Sequence, residues 1–444
     1  MRHIKTVALF LIMALLITAL PVAAISGTAD EATSVFDDAG LETLAKLGVF
    51  DRGAAVSVQN ETMSRAELAE LAVKLRGWDN LADTMGKKRY FYDVKEEDAR
   101  AAFISAAVAG GLMTAKETGY FVPDAAVTWA EAAETILRVL GYEAYVKAKE
   151  DTTALAAANQ LGLLKRISMG TENPTTADIY GMIKNSLEIE VLWASQAGDS
   201  VVYSKEEDVN LLAKYHKVYR GKGIVTANQN TGLELISESV GKGEIQIGSE
   251  VFDMGATDYG DHIGRRVVYY YREDADGSER ELVYLTDEKN DIITLKPQDI
   301  QDFSNMTYFY YFEDEIEEAD VSEAYVIYND AAVELGDFDY IPVNGDVTLI
   351  DNDRNGYFDV VLINEYTDCI VSGMDFAIET VYFQDAAAID LRKTDARVYN
   401  APNGAVLNVK GFRRDDTVSV ARDAKGNITP CAAFIPSSPV AVIT

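Results

Sequence analysis

The chain has 444 residues, a formal net charge of −32 at pH 7 and a hydrophobic content of 48%. This acidic balance excludes general binding to the phosphate backbone of nucleic acids, which requires clustered lysine and arginine. The hydrophobic content predicts ordered cores rather than disorder, and the length predicts two to four domains.

The first 24 residues have the pattern of a secretory signal. Arg2 and Lys5 form a charged start, an apolar stretch runs from Thr6 to Leu20, and Val22-Ala-Ala24 is a small-residue cleavage site. The alternative is a membrane anchor, but the stretch is short for a bilayer span and polar sequence follows it. We expect cleavage after Ala24 and no membrane span in the mature protein.

Three imperfect copies of one pattern follow. In each copy a short helical run ends at a glycine, a polar loop follows, and a four-residue start signal precedes an apolar helix. The glycines are Gly48, Gly111 and Gly162, and the start signals are Ser64–Glu67, Thr128–Glu131 and Thr175–Asp178. Each start signal predicts a capping box, which is weaker in the third copy because aspartate is shorter than glutamate. Such units cannot bury their apolar faces alone, so we expect the copies to pack together.

The repeated pattern resembles three S-layer homology domains. The second copy is the most similar, with Gly119-Tyr-Phe-Val-Pro123 and Val127-Thr-Trp-Ala-Glu131 at the positions of the family motifs. The first copy keeps Ser64-Arg-Ala-Glu67, and the degenerate third copy keeps only Gly162, Pro174 and Ala177. The repeats are expected at residues 34–80, 88–145 and 150–190.

The resemblance implies a helical pseudo-trimer whose grooves bind secondary cell-wall polymer and hold the protein non-covalently on a bacterial envelope. In the family, the arginine of the T-R-A-E motif contacts an acidic sugar, and a guanidinium suits a carboxylate because it offers paired donors. Arg65 alone occupies this place, since the other copies have Trp129 and Thr176. Trp129 would either stack on a sugar ring or pack in the core. Arg65 and Trp129 are therefore the predicted ligands of wall polysaccharide or peptidoglycan, and other surface proteins are further candidate partners.

From about residue 200 the helical period gives way to alternation and to β-branched and aromatic runs. The predicted strands are Lys222–Ala227, Gly243–Ile247, Arg266–Tyr271, Glu281–Leu285, Asp291–Leu295, Met306–Phe312, Glu323–Tyr328, Asp346–Ile350, Tyr357–Ile363, Thr380–Phe383 and Thr417–Ala421. They indicate one β domain over residues 200–303, a small barrel or sandwich, and a second over 304–444. The acidic run Asp314–Asp320 is predicted to be a solvated loop. The fold class is thus multidomain α+β: the helical trimer, then two mainly antiparallel β domains.

One segment of the second β domain has the spacing of a calcium loop. Asp351, Asp353, Asn355 and Asp359 place side-chain oxygens at positions one, three, five and nine, and the Tyr357 carbonyl stands at position seven. Leu362 replaces the glutamate expected at position twelve, and the flanking sequences indicate strands, so the segment is not an EF-hand. These five residues are the predicted ligands of a weak Ca²⁺ site; the alternative is a plain Asn-Gly hairpin.

The remaining residues give little support to catalysis. Beyond the signal only His216 and His262 occur, and the motifs of zinc proteases, serine hydrolases and P-loop enzymes are absent from the sequence. Cys369 and Cys431 are too few for a disulfide scaffold, and their pairing is left open.

The sequence therefore predicts a secreted, non-catalytic envelope protein of the S-layer type that displays its β domains from the wall. One alternative is a wall-anchored polysaccharide hydrolase that uses two carboxylates, a chemistry that needs no histidine. The other is a module that binds glycans through calcium at the Asp351 loop.

Overall fold

The computed structural model describes residues 34–85, 90–95, 97–144, 153–170, 172–197, 200–235, 239–313, 315–334, 340–392, 398–400, 405–407, 409–421 and 436–437. The predicted signal and Cys431 lie outside these residues. None of the described helices combines the length and apolar character that a bilayer span requires.

The repeated half is helical. Its described α-helices are α1 (Ala39–Lys46), α2 (Arg52–Ser57), α3 (Arg65–Leu75), α4 (Asp79–Met85), α5 (Ala101–Ala109), α6 (Trp129–Val139), α7 (Ala154–Gln160) and α8 (Thr176–Ser186). Each repeat thus has a short helix (α1, α5 or α7) and a second helix of 11 residues (α3, α6 or α8). The apolar faces of the second helices meet in one core, where Leu68, Ile136 and Ile179 are each at most 1% exposed.

A hairpin and a helical turn connect the repeats to the β half. Strands β1 (Glu190–Ala197) and β2 (Ser200–Asn210) pair antiparallel, and a π-helical turn covers Leu212–His216. Strand structure therefore begins at Glu190, about ten residues before the change from helices to strands predicted near residue 200. Leu211 and Leu212 are buried in the same core as the repeats, together with Tyr270 of the following domain. The helical half and the first β domain consequently share one continuous core.

The first β domain is a closed five-stranded barrel. Its strands are β3 (Tyr219–Asn228), β4 (Glu244–Ile247), β5 (Glu250–Asp253), β6 (Arg266–Glu273) and β7 (Arg280–Asp287), in the order β3-β4-β5-β7-β6. The neighbouring strands are antiparallel except β5 and β7, which meet in parallel at Asp253 and Glu281. Alternate residues such as Val225, Ile245 and Val267 fill the interior, as the period of a strand requires.

A larger sheet forms the second β domain. Its strands are β8 (Asp291–Leu295), β12 (Tyr325–Tyr328), β13 (Ala331–Val333), β14 (Gly345–Asp351), β15 (Val360–Asp375), β16 (Thr380–Phe383), β17 (Ile389–Asp390), β20 (Thr417–Ala421) and β21 (Pro436–Ser437), and a separate hairpin joins β18 (Val398–Asn400) to β19 (Ala405–Leu407). Strand β8, predicted in the first β domain, pairs with β14 and so belongs to this sheet. Cys369 on β15 is buried in the core.

The prediction of a loop at Asp314–Asp320 was wrong. Strands β9 (Ile300–Ser304), β10 (Thr307–Phe312) and β11 (Glu315–Asp320) form a three-stranded sheet in which β11 is antiparallel to β10. Only Ala319 of β11 is buried. Charged side chains suit such an edge strand because they discourage pairing with another chain, so acidity here marks an edge rather than a loop.

Candidate functional site

The three start signals form the predicted capping boxes. In each, a backbone N–H of the capping residue donates to the acidic side chain three residues on: Ser64 to Glu67 at 2.7 Å, Thr128 to Glu131 at 3.2 Å and Thr175 to Asp178 at 2.8 Å. Each hydroxyl also accepts from the backbone of that acidic residue. The shorter aspartate therefore closes its box as fully as glutamate does.

Arg65, the first residue of α3, contacts the second repeat. Its Nε donates to the Phe121 carbonyl at 2.9 Å and its Nη2 to the Thr114 carbonyl at 2.8 Å. The guanidinium also lies 4.5 Å from the centroid of the Phe121 ring. Arg65 is only 2% exposed, so these contacts are made inside the protein. The residue predicted to present a free guanidinium to the polymer is thus buried between two repeats.

The equivalent residues of the other two repeats make equivalent contacts. Trp129, the first residue of α6, donates from its indole Nε1 to the Glu172 carbonyl of the third repeat at 2.7 Å. Thr176, the first residue of α8, donates from Oγ1 to the Glu61 carbonyl of the first repeat at 3.1 Å. The contacts therefore run from the first repeat to the second, to the third and back to the first. Trp129 is half-buried and packs against the core, the second of its two predicted environments.

Glu131 joins two of these arrangements. One oxygen closes the capping box of α6, and the other is ion-paired with the guanidinium of Arg65 and lies 2.6 Å from Nζ of Lys116. Burial opposes ionisation of this carboxyl, but the hydrogen bonds from Lys116 and Thr128 and the charge of Arg65 outweigh it, and the pKa of Glu131 is lowered. In the sequence, the capping box was a sufficient reason for a glutamate at position 131, so its ion pair with Arg65 was not predicted. Nothing in the sequence pattern pointed to Lys116.

The predicted calcium loop connects β14 to β15. One oxygen of each of Asp351, Asp353 and Asp359 lies within 4.8 Å of the others. The Asp351 carboxylate accepts from several backbone N–H groups of the loop, including Arg354 at 2.6 Å and Gly356 at 2.8 Å. The loop is therefore a tight turn folded around Asp351, which is 3% exposed.

The chemistry of this loop fits a hard cation. Three carboxylates at one point match the oxygen ligands that Ca²⁺ prefers. Burial, and then the charges of Asp353 and Asp351, raise the pKa of Asp359. Asn355, also a predicted ligand, accepts from the Tyr357 N–H at 2.8 Å. A bound cation would relieve the repulsion among the carboxylates, with the Tyr357 carbonyl as the fifth predicted ligand.

The histidines occupy packed positions. Nε2 of His216 lies 3.1 Å from the carbonyl oxygen of Leu75, and burial lowers the pKa of the His216 imidazole. His262 lies with Nδ1 3.2 Å from the Tyr259 carbonyl. One ring nitrogen of each histidine therefore faces a backbone carbonyl, and Nε2 of His262 also lies 3.8 Å from the Asp287 carboxylate, which is ion-paired with Arg265.

Comparison with known proteins places this chain beside two bacterial envelope proteins. It is 27% identical over 299 residues to the Middle cell wall protein of Brevibacillus brevis, an alignment that covers 65% of this chain and 28% of that protein. It is 26% identical over 303 residues to the Surface layer protein of Brevibacillus choshinensis, covering 65% of this chain and 26% of that protein. The chain thus aligns with only about a quarter of the length of these relatives. No family model matches it.

Proposed function

We propose that this chain is a non-catalytic protein of the bacterial cell envelope, held on secondary cell-wall polymer by the repeats at residues 34–190 and displaying its β domains outward. The observation that carries the proposal is the ring of contacts made by Arg65, Trp129 and Thr176. Equivalent positions making equivalent contacts support the helical pseudo-trimer expected of S-layer homology repeats.

The location at the cell wall or surface layer rests on the two relatives. Both are named for the wall or the surface layer, and each alignment covers 65% of this chain. Their names point to structural roles, which favours a non-catalytic protein over a polysaccharide hydrolase.

Arg65 and Trp129 remain our predicted polymer ligands, but each side chain already has a partner within the protein, with which the polymer would have to compete. A polymer carboxylate would have to displace Glu131 from Arg65, and a sugar would have to compete with the Glu172 carbonyl for the indole N–H. Lys116 is also paired with Glu131, at 2.6 Å, but its side chain is 44% exposed, so its ammonium group can meet a polymer carboxylate from the solvent side. Lys116 is therefore the more accessible cation at this junction.

A structural calcium ion is a second proposal, favoured by the three converging carboxylates of the Asp351 loop. The Arg266 Nε donates to the Asn352 carbonyl at 2.6 Å, and the Asn352 amide donates to the Gly264 carbonyl at 3.2 Å. The loop is thus attached to the barrel. A cation here would stiffen the junction of the two β domains, a role that requires no glycan.

Sedimentation with isolated cell walls tests the anchoring proposal. Residues 25–444 would be mixed with walls before and after chemical removal of the secondary polymer. We expect co-sedimentation with intact walls and loss of it after removal. Failure to sediment with intact walls would contradict anchoring, and release of reducing sugar from the walls would favour the hydrolase alternative instead.

A further inference from the structure

The three-stranded sheet in the β half has an open edge. Its strand order is β11-β10-β9, so β11 (Glu315–Asp320) pairs with β10 on one side and, among the described residues, with no strand on the other. A strand at the edge of a sheet presents backbone N–H and C=O groups to which another strand can pair. The outer side of β11 is therefore a surface to which an extended segment could be added.

Backbone hydrogen bonds show which groups of β11 face outward. The Asp320 carbonyl accepts from the Phe358 N–H at 3.0 Å, whereas the Val321 N–H donates in the opposite direction, to the residue that precedes β10, at 2.9 Å. The backbone groups of successive strand residues point to opposite sides, so those of Ile316 and Glu318 point outward like those of Asp320. In the described part of the chain, these two residues make no outward hydrogen bond. Two donors and two acceptors thus remain available.

Three carboxylates along this edge have no basic partner. Glu315, Glu317 and Glu318 are exposed, and none of them forms an ion pair with another described residue. Asp346 on β14, by contrast, is paired with Lys296 at 3.0 Å. The edge therefore has a local excess of negative charge, which favours the approach of a positively charged partner.

Exposed apolar side chains lie beside these carboxylates. Tyr311 of β10 is directly opposite Ile316 of β11, and the two residues are 51% and 50% exposed. Phe312, the last residue of β10, is 59% exposed. Single exposed apolar residues are ordinary, but neighbouring ones commonly mark a site of protein interaction. A segment that places an apolar side chain beside Ile316 would cover part of this patch.

The charge of the edge disfavours a second copy of this chain as the occupant. Pairing of two β11 strands would bring glutamates close to glutamates, and like charges on neighbouring strands are destabilising. The formal net charge of −32 adds repulsion between whole molecules. The acidity that protects this edge from its own copies is complementary to a basic segment, and such repulsion of the wrong partner is one source of specificity.

We propose that the outer edge of β11 binds an extended basic segment of another protein, which joins the sheet as a further strand. The backbone groups of Ile316 and Glu318 provide the hydrogen bonds, as in other complexes in which a peptide adds to a sheet edge. The glutamates of β11 select lysine or arginine, and the exposed apolar pair accepts an apolar side chain. The proposal goes beyond anchoring, because it gives the β half a protein partner of defined chemistry.

Calorimetric titration of residues 25–444 with synthetic peptides tests the proposal. The first probe is a short peptide that alternates lysine with threonine and valine. The second has the same side chains but carries methyl groups on its backbone nitrogens, and the third has glutamate in place of lysine. We expect the first peptide to bind, more weakly as salt is added, and the third not to bind. The methylated peptide should bind about tenfold more weakly or less, because it keeps its charge but has no backbone N–H to donate.

A proline variant tests the edge itself. Ile316→Pro removes one outward N–H and leaves the hydrogen bonds between β11 and β10 in place, as proline on an edge strand can. It should bind the lysine peptide about tenfold more weakly, whereas the control Ile316→Val, which keeps both the N–H and an apolar side chain, should bind as the unaltered chain does. Thermal unfolding of both variants shows that the comparison is made between folded proteins.

A charge variant tests the carboxylates without altering the backbone. It replaces the three exposed glutamates of the edge: Glu315→Gln, Glu317→Gln and Glu318→Gln. Binding of the lysine peptide should fall about tenfold, as expected for the loss of three exposed ion pairs. Its control removes the same charge at exposed positions outside β11: Glu97→Gln, Glu117→Gln and Glu234→Gln. The control should retain most of the affinity.

The proposal would be overturned if the lysine peptide did not bind, if its methylated form bound as tightly, or if the control lost as much affinity as the charge variant. These readouts do not depend on Ile316→Pro, so they decide the matter even if that variant does not fold. Sedimentation velocity of the unaltered chain examines the alternative occupant. A dimer that the charge variant strengthens would assign the edge to a second copy and overturn the proposal as well.

Discussion

Arg65 of the first repeat is ion-paired with Glu131 of the second, and Glu131 also closes the capping box of its own helix. One carboxylate therefore fixes both the start of α6 and the junction between two repeats. Because Arg65 is 2% exposed and the Glu131 side chain 17% exposed, this pair is largely withdrawn from water. Removal of either partner would leave a charge in a place where water cannot replace the lost contact.

Replacement of Arg65 should cost much more stability than replacement of an exposed arginine. We expect Arg65→Ala to lower the free energy of unfolding by about 3 kcal/mol, because it leaves Glu131 with Lys116 alone and orphans two carbonyls. The control Arg52→Ala breaks exposed pairs with Asp37 and Glu42 and one hydrogen bond to the Phe36 carbonyl, and should cost about 1 kcal/mol. Urea unfolding measures both variants, and equal losses of stability would contradict a special contribution from the buried Arg65–Glu131 pair.

Wall binding by the same variants separates the two roles of Arg65. If its guanidinium contacts polymer, Arg65→Ala should weaken wall binding by roughly 1–3 kcal/mol at a temperature where the variant is still folded. Lys116→Gln leaves the Arg65–Glu131 pair in place and removes only the accessible cation. A loss with Lys116→Gln and none with folded Arg65→Ala would assign polymer contact to the lysine.

Acid should weaken the junction through Glu131. Its pKa is lowered in the folded protein, so the unfolded chain binds a proton more readily and the ionised pair stabilises the fold above the ordinary value of 4.5. That stabilisation is lost as pH falls below 4.5 towards the folded pKa. Unfolding measured between pH 7 and pH 3 should show a steeper decline for the unaltered protein than for Glu131→Gln, which has no proton to gain. Parallel curves would contradict this linkage.

The glycines that end the helices differ in what surrounds them. Gly111, after α5, has φ +74° and no atom within 4 Å of an added Cβ, whereas Gly141, after α6, has φ +85° and the Leu192 carbonyl oxygen at 2.3 Å. Gly111→Ala should cost about 1 kcal/mol for the backbone conformation alone. Gly141→Ala should cost about 3 kcal/mol or more, because β1 must move away from the helix. Thermal unfolding compares the two, and similar losses would mean that β1 adapts freely.

The helical half followed from the sequence because its signals are local. A capping hydroxyl, an acidic residue three positions on and an apolar period specify where α3, α6 and α8 begin, and all three begin there. The partners of Arg65 did not follow, since Phe121 and Glu131 lie 56 and 66 residues away and no local pattern links them. Burial of a charge is decided by packing between repeats, which a single sequence does not specify.

The β half shows the same limit at the level of strands. The strands at Asp291–Leu295, Thr380–Phe383 and Thr417–Ala421 have the predicted bounds, because β-branched runs and turns are local signals. The partner of β8 depends on how the chain crosses between domains, which no local signal specifies. The sequence therefore predicted β8 in the first β domain, whereas it pairs with β14 of the second. The acidic strand β11 was missed because Ala319 is its only buried residue, so its sequence has no alternation of apolar and polar side chains.

Calcium should stabilise the unaltered protein through the Asp351 loop. For an extracellular site with Kd of about 0.1–1 mM, roughly 10 mM Ca²⁺ would add on the order of 1.4–2.7 kcal/mol. The melting temperature should therefore rise by a few degrees relative to EDTA, while Mg²⁺ at the same concentration, which demands a stricter octahedral geometry, should give a smaller rise. Asp351→Ala combined with Asp353→Ala should abolish the response, and a melting curve indifferent to calcium and chelator would leave the plain hairpin.

Asp359→Asn gives the sharper form of this test, because it keeps the shape of the side chain. Burial and two neighbouring carboxylates raise the pKa of Asp359, so its ionised form is disfavoured in the folded state. Stability is lost as pH rises from the ordinary value of 3.8 through the folded pKa, and the full cost is present at pH 7. Without calcium at pH 7, the asparagine should be neutral or stabilising, by at most about 1 kcal/mol because water screens the repulsion. With calcium it should be the less stable protein, since a ligand charge is gone. This reversal of order between EDTA and calcium would not arise from a hairpin that binds no cation, because a lost turn contact lowers stability equally in both conditions.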